Sequence, residues 1–407
     1  MSKEFREWAA LPCDLLGDIV SETDVLIDDY IRAAAVCRSW QACLKQPKFP
    51  VCLMLTEDED EDNNMRCFCT ASEDKVMERE LPELRWRRCW GTPFGWLVTF
   101  GLDLQIQLFN PLSRACVSLP PKPTLNPFHY DDGLGDPTPE GFRRFFLHKF
   151  AFSSSDPTSP DFVVMAIYTC RQALLGFAKP GDQAWTTIGD ANDALACYDV
   201  TYFDGSFFAV CCDGVLVKCQ DLDGPRPRFV EFAESPRYER DHLHSQNYIV
   251  DLNGHLCMIL RMIGIFEDVK AEEIENDEAE EIENDECWNE TVEFVIFKLD
   301  MQSRNWERMV SLGDRCLFLG NCCTFSVLAT HYPGCTPNHI YYSDDDYLYY
   351  EKRGGYDTGI YNFDFDFDVD DEEEKRRLLL PQYEYEEESD GFRSKFCPPL
   401  WILPSSH

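Results

Sequence analysis

A chain of 407 residues with 74 acidic and 37 basic side chains, net charge −37, lacks the basic stripe that phosphate contacts need, so no nucleic-acid partner is expected. No apolar run reaches membrane-spanning length and Met1–Ala10 is charged, so no membrane partner is expected, while 44% hydrophobic content suffices for a large core. The charge is uneven: Glu57–Asp62, Glu267–Glu286, Asp364–Glu374 and Glu384–Asp390 hold 31 of the acidic residues against one lysine, Lys270, so the remaining body is only mildly acidic.

In chain order, the first elements are helical. Leu11-Pro12 precedes Leu15, Leu16, Ile19 and Val20, spaced for one face of an amphipathic helix. Pro12 suits a first turn that needs no N–H partner, and Asp14 lies near the positive end of the helix dipole. Ser21–Asp24 interrupts the pattern; Asp28 and Asp29 then open a second helix with Ile31, Ala34 and Ala35 on its apolar face. Cys37-Arg38-Ser39-Trp40 leads a third through Cys43 and Leu44, stopped before Pro47. Three helices within residues 11–44 bury little surface by themselves, which predicts reliance on a partner.

Leu11-Pro12-x-Asp14-Leu15-Leu16-x-x-Ile19, then Arg32, then Val36-Cys37-Arg38-Ser39-Trp40, resembles the F-box. Between these, Val25–Tyr30 is more polar than the usual pattern. The resemblance implies a helical module docking on a Skp-family adaptor, and through it on a cullin, in an SCF ubiquitin ligase. Leu11, Pro12, Leu15, Leu16, Ile19, Val36 and Trp40 would then carry the adaptor contact or its supporting core. The alternative is an ordinary helical cap on a β domain, with Trp40 in that domain's core.

From about Arg85 short β-prone runs alternate with turn signals: Gly95–Phe100, Leu104–Phe109 and Ala115–Leu119 before Pro120-Pro121, then Phe162–Tyr168 and Ala173–Ala178. Asp204-Gly205 separates Thr201–Phe203 from Ser206–Cys211, Asp213-Gly214 precedes Val215–Val217, and Asn253-Gly254 divides Tyr248–Leu252 from His255–Leu260; each is a hairpin signal. Glu272–Glu278 and Glu280–Glu286 repeat the same seven residues, an acidic tandem copy that reads as a solvated loop insertion. Twenty cysteines are scattered through apolar runs, as at Cys211-Cys212 and Cys322-Cys323, and are expected to be free buried thiols.

Three segments share one form, a strand, a polar turn and a second strand: Leu108–Leu119, Phe177–Ile188 and Phe297–Val310. Trp185 and Trp306 follow the turn in two of them, as in the outer hairpin of a propeller blade, where a tryptophan covers the edge between blades. The expected fold is mainly β, a β-propeller preceded by a small three-helix module, with a sandwich as the alternative. The C-terminal Trp401 segment is a candidate to pair beside an early strand. Asn110-Pro111-Leu112, Phe203-Asp204-Gly205, Leu312–Gly320, the block Pro333-Gly334 to Asn338–Asp346 and the tail Pro399–Pro404 are together similar to the KIB-type β-propeller that follows the F-box in a large plant family. The resulting organisation is an F-box at 8–48, a linker with first strands and an acidic tract at 49–84, and a KIB-type propeller at 85–407 carrying an acidic loop insertion at 267–290 and an acidic tract at 364–390.

The chain shows no Gly-x-Ser-x-Gly elbow, phosphate loop, His-Glu-x-x-His or Cys-x-x-Cys motif. Cys335 and His339 lack a second pair for zinc, and Asp364–Asp368 starts like a calcium loop but has Val369 where glycine is required. His242-Leu243-His244 reads as a surface loop, and Asp344–Asp346 as a strand-end turn in preference to a contact for a partner's basic group. No catalytic residue, metal or cofactor is therefore expected. By the resemblance, the chain is a non-catalytic, cytoplasmic and/or nuclear substrate receptor whose propeller binds an unidentified target protein. The alternative is a protein-binding propeller with a degenerate F-box and no ligase role.

Overall fold

A computed structural model describes residues 11–13, 15–16, 33, 36–43, 50–57, 63–71, 76–125, 138–169, 173–189, 196–238, 243–267, 287–345, 357–364, 376–378 and 397–405. Its strands form six sheets in a ring, a six-bladed propeller. The first blade holds β1 (Cys52–Met54), β2 (Met65–Thr70) and β3 (Val76–Glu80); the second holds β4 (Arg88–Gly91), β5 (Leu97–Phe100), β6 (Ile106–Phe109) and β7 (Cys116–Ser118). β8 (Leu147–Phe152), β9 (Val164–Tyr168), β10 (Leu174–Ala178) and β11 (Thr186–Thr187) make the third. β12 (Cys197–Phe203), β13 (Ser206–Cys211), β14 (Leu216–Gln220) and β15 (Arg228–Ala233) make the fourth. β16 (His244–Leu252), β17 (His255–Glu267), β18 (Cys287–Leu299) and β19 (Trp306–Arg308) make the fifth.

The sixth blade is irregular. Its order is β21 (Phe325–Leu328), β20 (Arg315–Leu319), β22 (His339–Tyr342), β23 (Gly359–Asn362) and β24 (Arg376–Leu378), with β20 and β22 parallel where the other ladders are antiparallel. The ring closes through the last strand, β25 (Leu400–Ile402), which pairs antiparallel with β1 and so completes the first blade from the inside. The sandwich alternative is thereby excluded, and the Trp401 segment does pair beside an early strand.

Why the strands read as continuous apolar runs follows from their burial. Each blade is covered on both faces by its neighbours, so alternation of polar and apolar residues disappears, as in β9, which is buried along its length. Buried apolar side chains accordingly gather into six clusters, one at each blade–blade interface. Successive residues of one strand serve different interfaces: Cys52 and Met54 face the second blade, while Leu53 packs with Phe318, Tyr341 and Trp401 toward the sixth.

The hairpin signals fold as expected. Asp204-Gly205 (φ 45° and 75°) and Asn253-Gly254 (φ 56° and 76°) take the left-handed pair that a two-residue turn requires. The three repeated segments are the outer strand pairs of the second, third and fifth blades, β6–β7, β10–β11 and β18–β19. Both tryptophans cover the blade edge: Trp185 Nε1 donates to Pro120 O and Trp306 Nε1 to Glu234 O, each at 2.6 Å, reaching back to the blade before.

The three-helix module is not visible as such. Among the described residues it is represented by a turn in which Leu16 N donates to Pro12 O, by helical Ala33 and Val36, and by the six-residue helix α1 (Arg38–Cys43). Ile19 and most of the second helix lie outside the described residues. A second helix, α2 (Pro139–Phe145), leads into β8; its Thr138 Oγ1 accepts Gly141 N–H, the cap that a Thr-Pro start predicts. No described helix is long and apolar enough to cross a membrane. The tandem acidic repeat, Glu272–Glu286, lies outside the described residues, between β17 and β18, which are paired up to Glu267 and Cys287.

Candidate functional site

Two surfaces qualify: the N-terminal segment and the mouth of the propeller channel. On the first, Leu16 is buried, Leu11 and Trp40 are half-buried, and Pro12 is exposed. Leu15 and Val36 stand 52% and 58% exposed, large apolar groups facing water. Cys13 and Cys43 are disulfide-bonded, which corrects the expectation of free thiols for this pair. Sixteen other cysteines are free, and ten of them are buried.

The channel is built from the innermost strands. One or two residues along each of them separate two layers. Lys149 of β8, Asp199 of β12 and Tyr248 of β16 belong to a buried polar layer, while the following Phe150–Phe152, Val200–Tyr202 and Val250-Asp251 line a cavity of about 540 Å³. Phe94, Arg315, Thr324 and Ser326 also belong to its wall. The cavity therefore opens at the rim where these strands end and is floored by the polar layer. The chain enters the propeller at this same rim, because Cys52 at the start of β1 pairs with Ile402 at the end of β25.

The polar layer ties four blades together, the third to the sixth. Asp345 accepts from Lys149 Nζ (3.4 Å), Arg261 Nη1 (3.1 Å) and Tyr248 OH (3.0 Å). Arg261 continues to Asp357 at 2.9 Å and donates through Nε to Thr291 Oγ1, whose hydroxyl in turn donates to Asp357 at 2.6 Å. Asp199 accepts from Ile249 N–H and Thr324 Oγ1, and its carboxyl is raised above the usual range by burial. Burial also opposes the charge of Lys149, yet the carboxylates of Asp345 and Asp199 outweigh it and hold the ammonium above its ordinary range. In such an enclosed site both charges persist only because each has several partners.

Asp344 and Asp345 do follow the end of β22, as the strand-end reading has it, but they belong to this buried layer. Asp344 and Asp345 are 8% exposed and sit inside the ring, and the charge of Asp345 is satisfied internally. Asp346 lies outside the described residues. Glu57, counted above in an acidic tract, is likewise buried, pairing with Arg66 at 2.8 Å and Arg85 at 3.2 Å and accepting Trp86 N–H. The missed signal was a lone cation in an apolar strand: Lys149 within Leu147–Phe152 and Arg261 within Leu256–Phe266. A charge in such a run demands a buried counter-charge.

Chemically the cavity is equipped for contact. Its wall mixes the rings of Phe94, Phe152 and Tyr202 with the hydroxyls of Ser154, Ser155, Thr201, Thr324 and Ser326. Cys323, the thiol in the wall, is pushed well above the ordinary range by burial and stays protonated, a poor nucleophile.

The KIB1-4 beta-propeller family description matches residues 68–362. The chain belongs to that family. Along this KIB1-4 propeller protein, F-box protein SKIP23 of Arabidopsis thaliana is 24% identical over 362 residues, spanning 83% of this chain and 84% of its own. F-box protein At2g26160 of the same plant is 22% identical over 373 residues, 84% of this chain and 97% of its own. F-box protein At1g69090, also from Arabidopsis thaliana, is 26% identical over 379 residues, 88% and 86%. In this KIB1-4 propeller the stretch Asn338–Asp345 has a physical reason: it delivers Asp345 from the end of β22 to two cations on other blades.

Proposed function

We propose that this KIB1-4 propeller protein is the substrate receptor of an SCF-type cullin–RING ubiquitin ligase, its N-terminal segment docking on a Skp-family adaptor and its propeller binding the target protein. The observation that carries the reading is the exposure of Leu15 and Val36 on a short helical segment attached to a closed propeller. Covering two such side chains contributes about 1.5–3 kcal/mol each, a large share of an adaptor contact. The relatives' designation as F-box proteins supports the same assignment. On this reading Leu11, Pro12, Leu15, Leu16, Ile19, Val36 and Trp40 form the contact or its support, within a module at 8–48, and the receptor adds rate through proximity alone. The protein acts in the cytoplasm, the nucleus or both.

The test is co-migration of the purified chain with a purified Skp-family adaptor. Leu15→Asp combined with Val36→Asp is expected to weaken capture by about tenfold or more without changing the melting temperature of the propeller. Undiminished capture by that variant, or none by the parent chain, leaves instead a protein-binding propeller with a degenerate F-box.

A further inference from the structure

The Cys13–Cys43 bond joins the two parts of the docking segment that carry its apolar residues. It ties the turn bearing Leu11, Pro12, Leu15 and Leu16 to α1 bearing Trp40, across 30 residues of sequence, with Cα atoms 5.0 Å apart. Cys13 is exposed and Cys43 half-buried, so small oxidants and reductants reach the pair. The buried thiols of the propeller are poor competitors: burial pushes Cys52, Cys219, Cys257 and Cys322 up to about 12. Cys397, drawn down to about 7 by the Cys89 thiol, is fully enclosed. The exposed Cys116 and Cys212 belong to the second and fourth blades, away from the segment.

We propose that Cys13 and Cys43 are a reversible redox staple that sets the affinity of the N-terminal segment for its adaptor, with the oxidised form the docking-competent one. The proposal rests on the adaptor-docking reading above. A module this small has too little core to hold its own shape, and a cross-link that closes a loop of this length removes conformational freedom from its unfolded state. Less ordering then remains to be done on docking, which raises affinity without any new contact. The bond leaves Leu15 and Val36 exposed, so it does not cover the apolar face it organises. In a compartment where glutathione keeps thiols reduced, a disulfide at so accessible a pair is conditional.

The chemistry balances with a peroxide as oxidant. One thiolate attacks a peroxide oxygen, the O–O bond breaks, and a sulfenic acid and water result; the second thiolate displaces that hydroxyl as a second water and forms the S–S bond. Two glutathione thiols reverse it, leaving two cysteine thiols and glutathione disulfide.

The experiment compares the full chain reduced with a phosphine against the chain treated with hydrogen peroxide, each titrated with a purified Skp-family adaptor, with peptide mapping of the disulfide. The expected result is a Cys13–Cys43 linked peptide after peroxide and an affinity roughly five- to thirtyfold higher for that form. The variant Cys13→Ser with Cys43→Ser should bind at the reduced-form affinity under both treatments. Equal affinities for the two forms, tighter binding by the reduced form, or no linked peptide, with adaptor binding intact, overturns the staple and leaves the adaptor reading standing. Binding by neither form overturns the adaptor reading and the staple with it.

Discussion

Asp345 holds Lys149 and Arg261 at once, with Tyr248 as a third donor, in a layer where all four side chains are buried. Replacing one carboxylate there strands cations that water cannot reach. Asp345→Asn is expected to cost about 3–5 kcal/mol of stability, read from urea unfolding. Arg261 keeps Asp357, so the larger part of that loss falls on Lys149, whose other hydrogen-bond acceptors among the described residues are the carbonyls of Gly320 and Cys322. Lys149→Met in the same chain removes the stranded ammonium, and the double variant should lose clearly less than the two singles summed. Additive losses would show that the pair does not act as a unit.

At the scale of elements, the tryptophan that follows the outer turn in the third and fifth blades is a clasp between blades. Trp185 and Trp306 each donate an indole N–H at 2.6 Å to a carbonyl of the blade before. Trp185→Phe and Trp306→Phe retain an aromatic ring but lose that donor and part of the indole's packed volume, so each should cost about 1–3 kcal/mol in thermal unfolding, and the two should add because they guard different interfaces. These outer hairpins were legible in the sequence because strand, turn and strand are neighbours in the chain and the turn residues announce themselves: Asp204-Gly205 and Asn253-Gly254 adopt the positive φ their types favour. Blade number was not legible, since the sixth blade interleaves β20 and β22 in parallel and crosses over where spacing carries no signal. Nor were the ionic layer, which joins residues 149 and 345 across nearly half the chain, the burial of Glu57 at the edge of an acidic tract, or the Cys13–Cys43 pairing. Sequence patterning reports local periodicity and burial; which charge meets which is settled only when the ring closes.

For the whole molecule, closure rests on the last described strand. β25 lies against β1, and Trp401, fully buried, stands edge-on to Phe318 and Tyr341 of the sixth blade at 5.2 and 5.6 Å. On its other side Gly91 of the second blade comes so near that a Cβ there would lie 1.9 Å from Trp401 O, and Asn110 Nδ2 donates to Ser405 O. One strand thus touches the first, second and sixth blades, and without it β1 keeps a single ladder partner, β2. Trp401→Ala, which empties the centre of that contact, should cost about 3–5 kcal/mol. Ending the chain before Cys397 removes the strand altogether: the inner edges of the first blade would be left unpaired and apolar surface at two interfaces would meet water. That shortened chain is expected to lose its cooperative thermal transition and near-ultraviolet dichroism and to be cut rapidly by protease across blades one, two and six. A truncated chain that still melts cooperatively at the parent temperature would mean that the ring is held by its other interfaces and that the terminal strand merely decorates it.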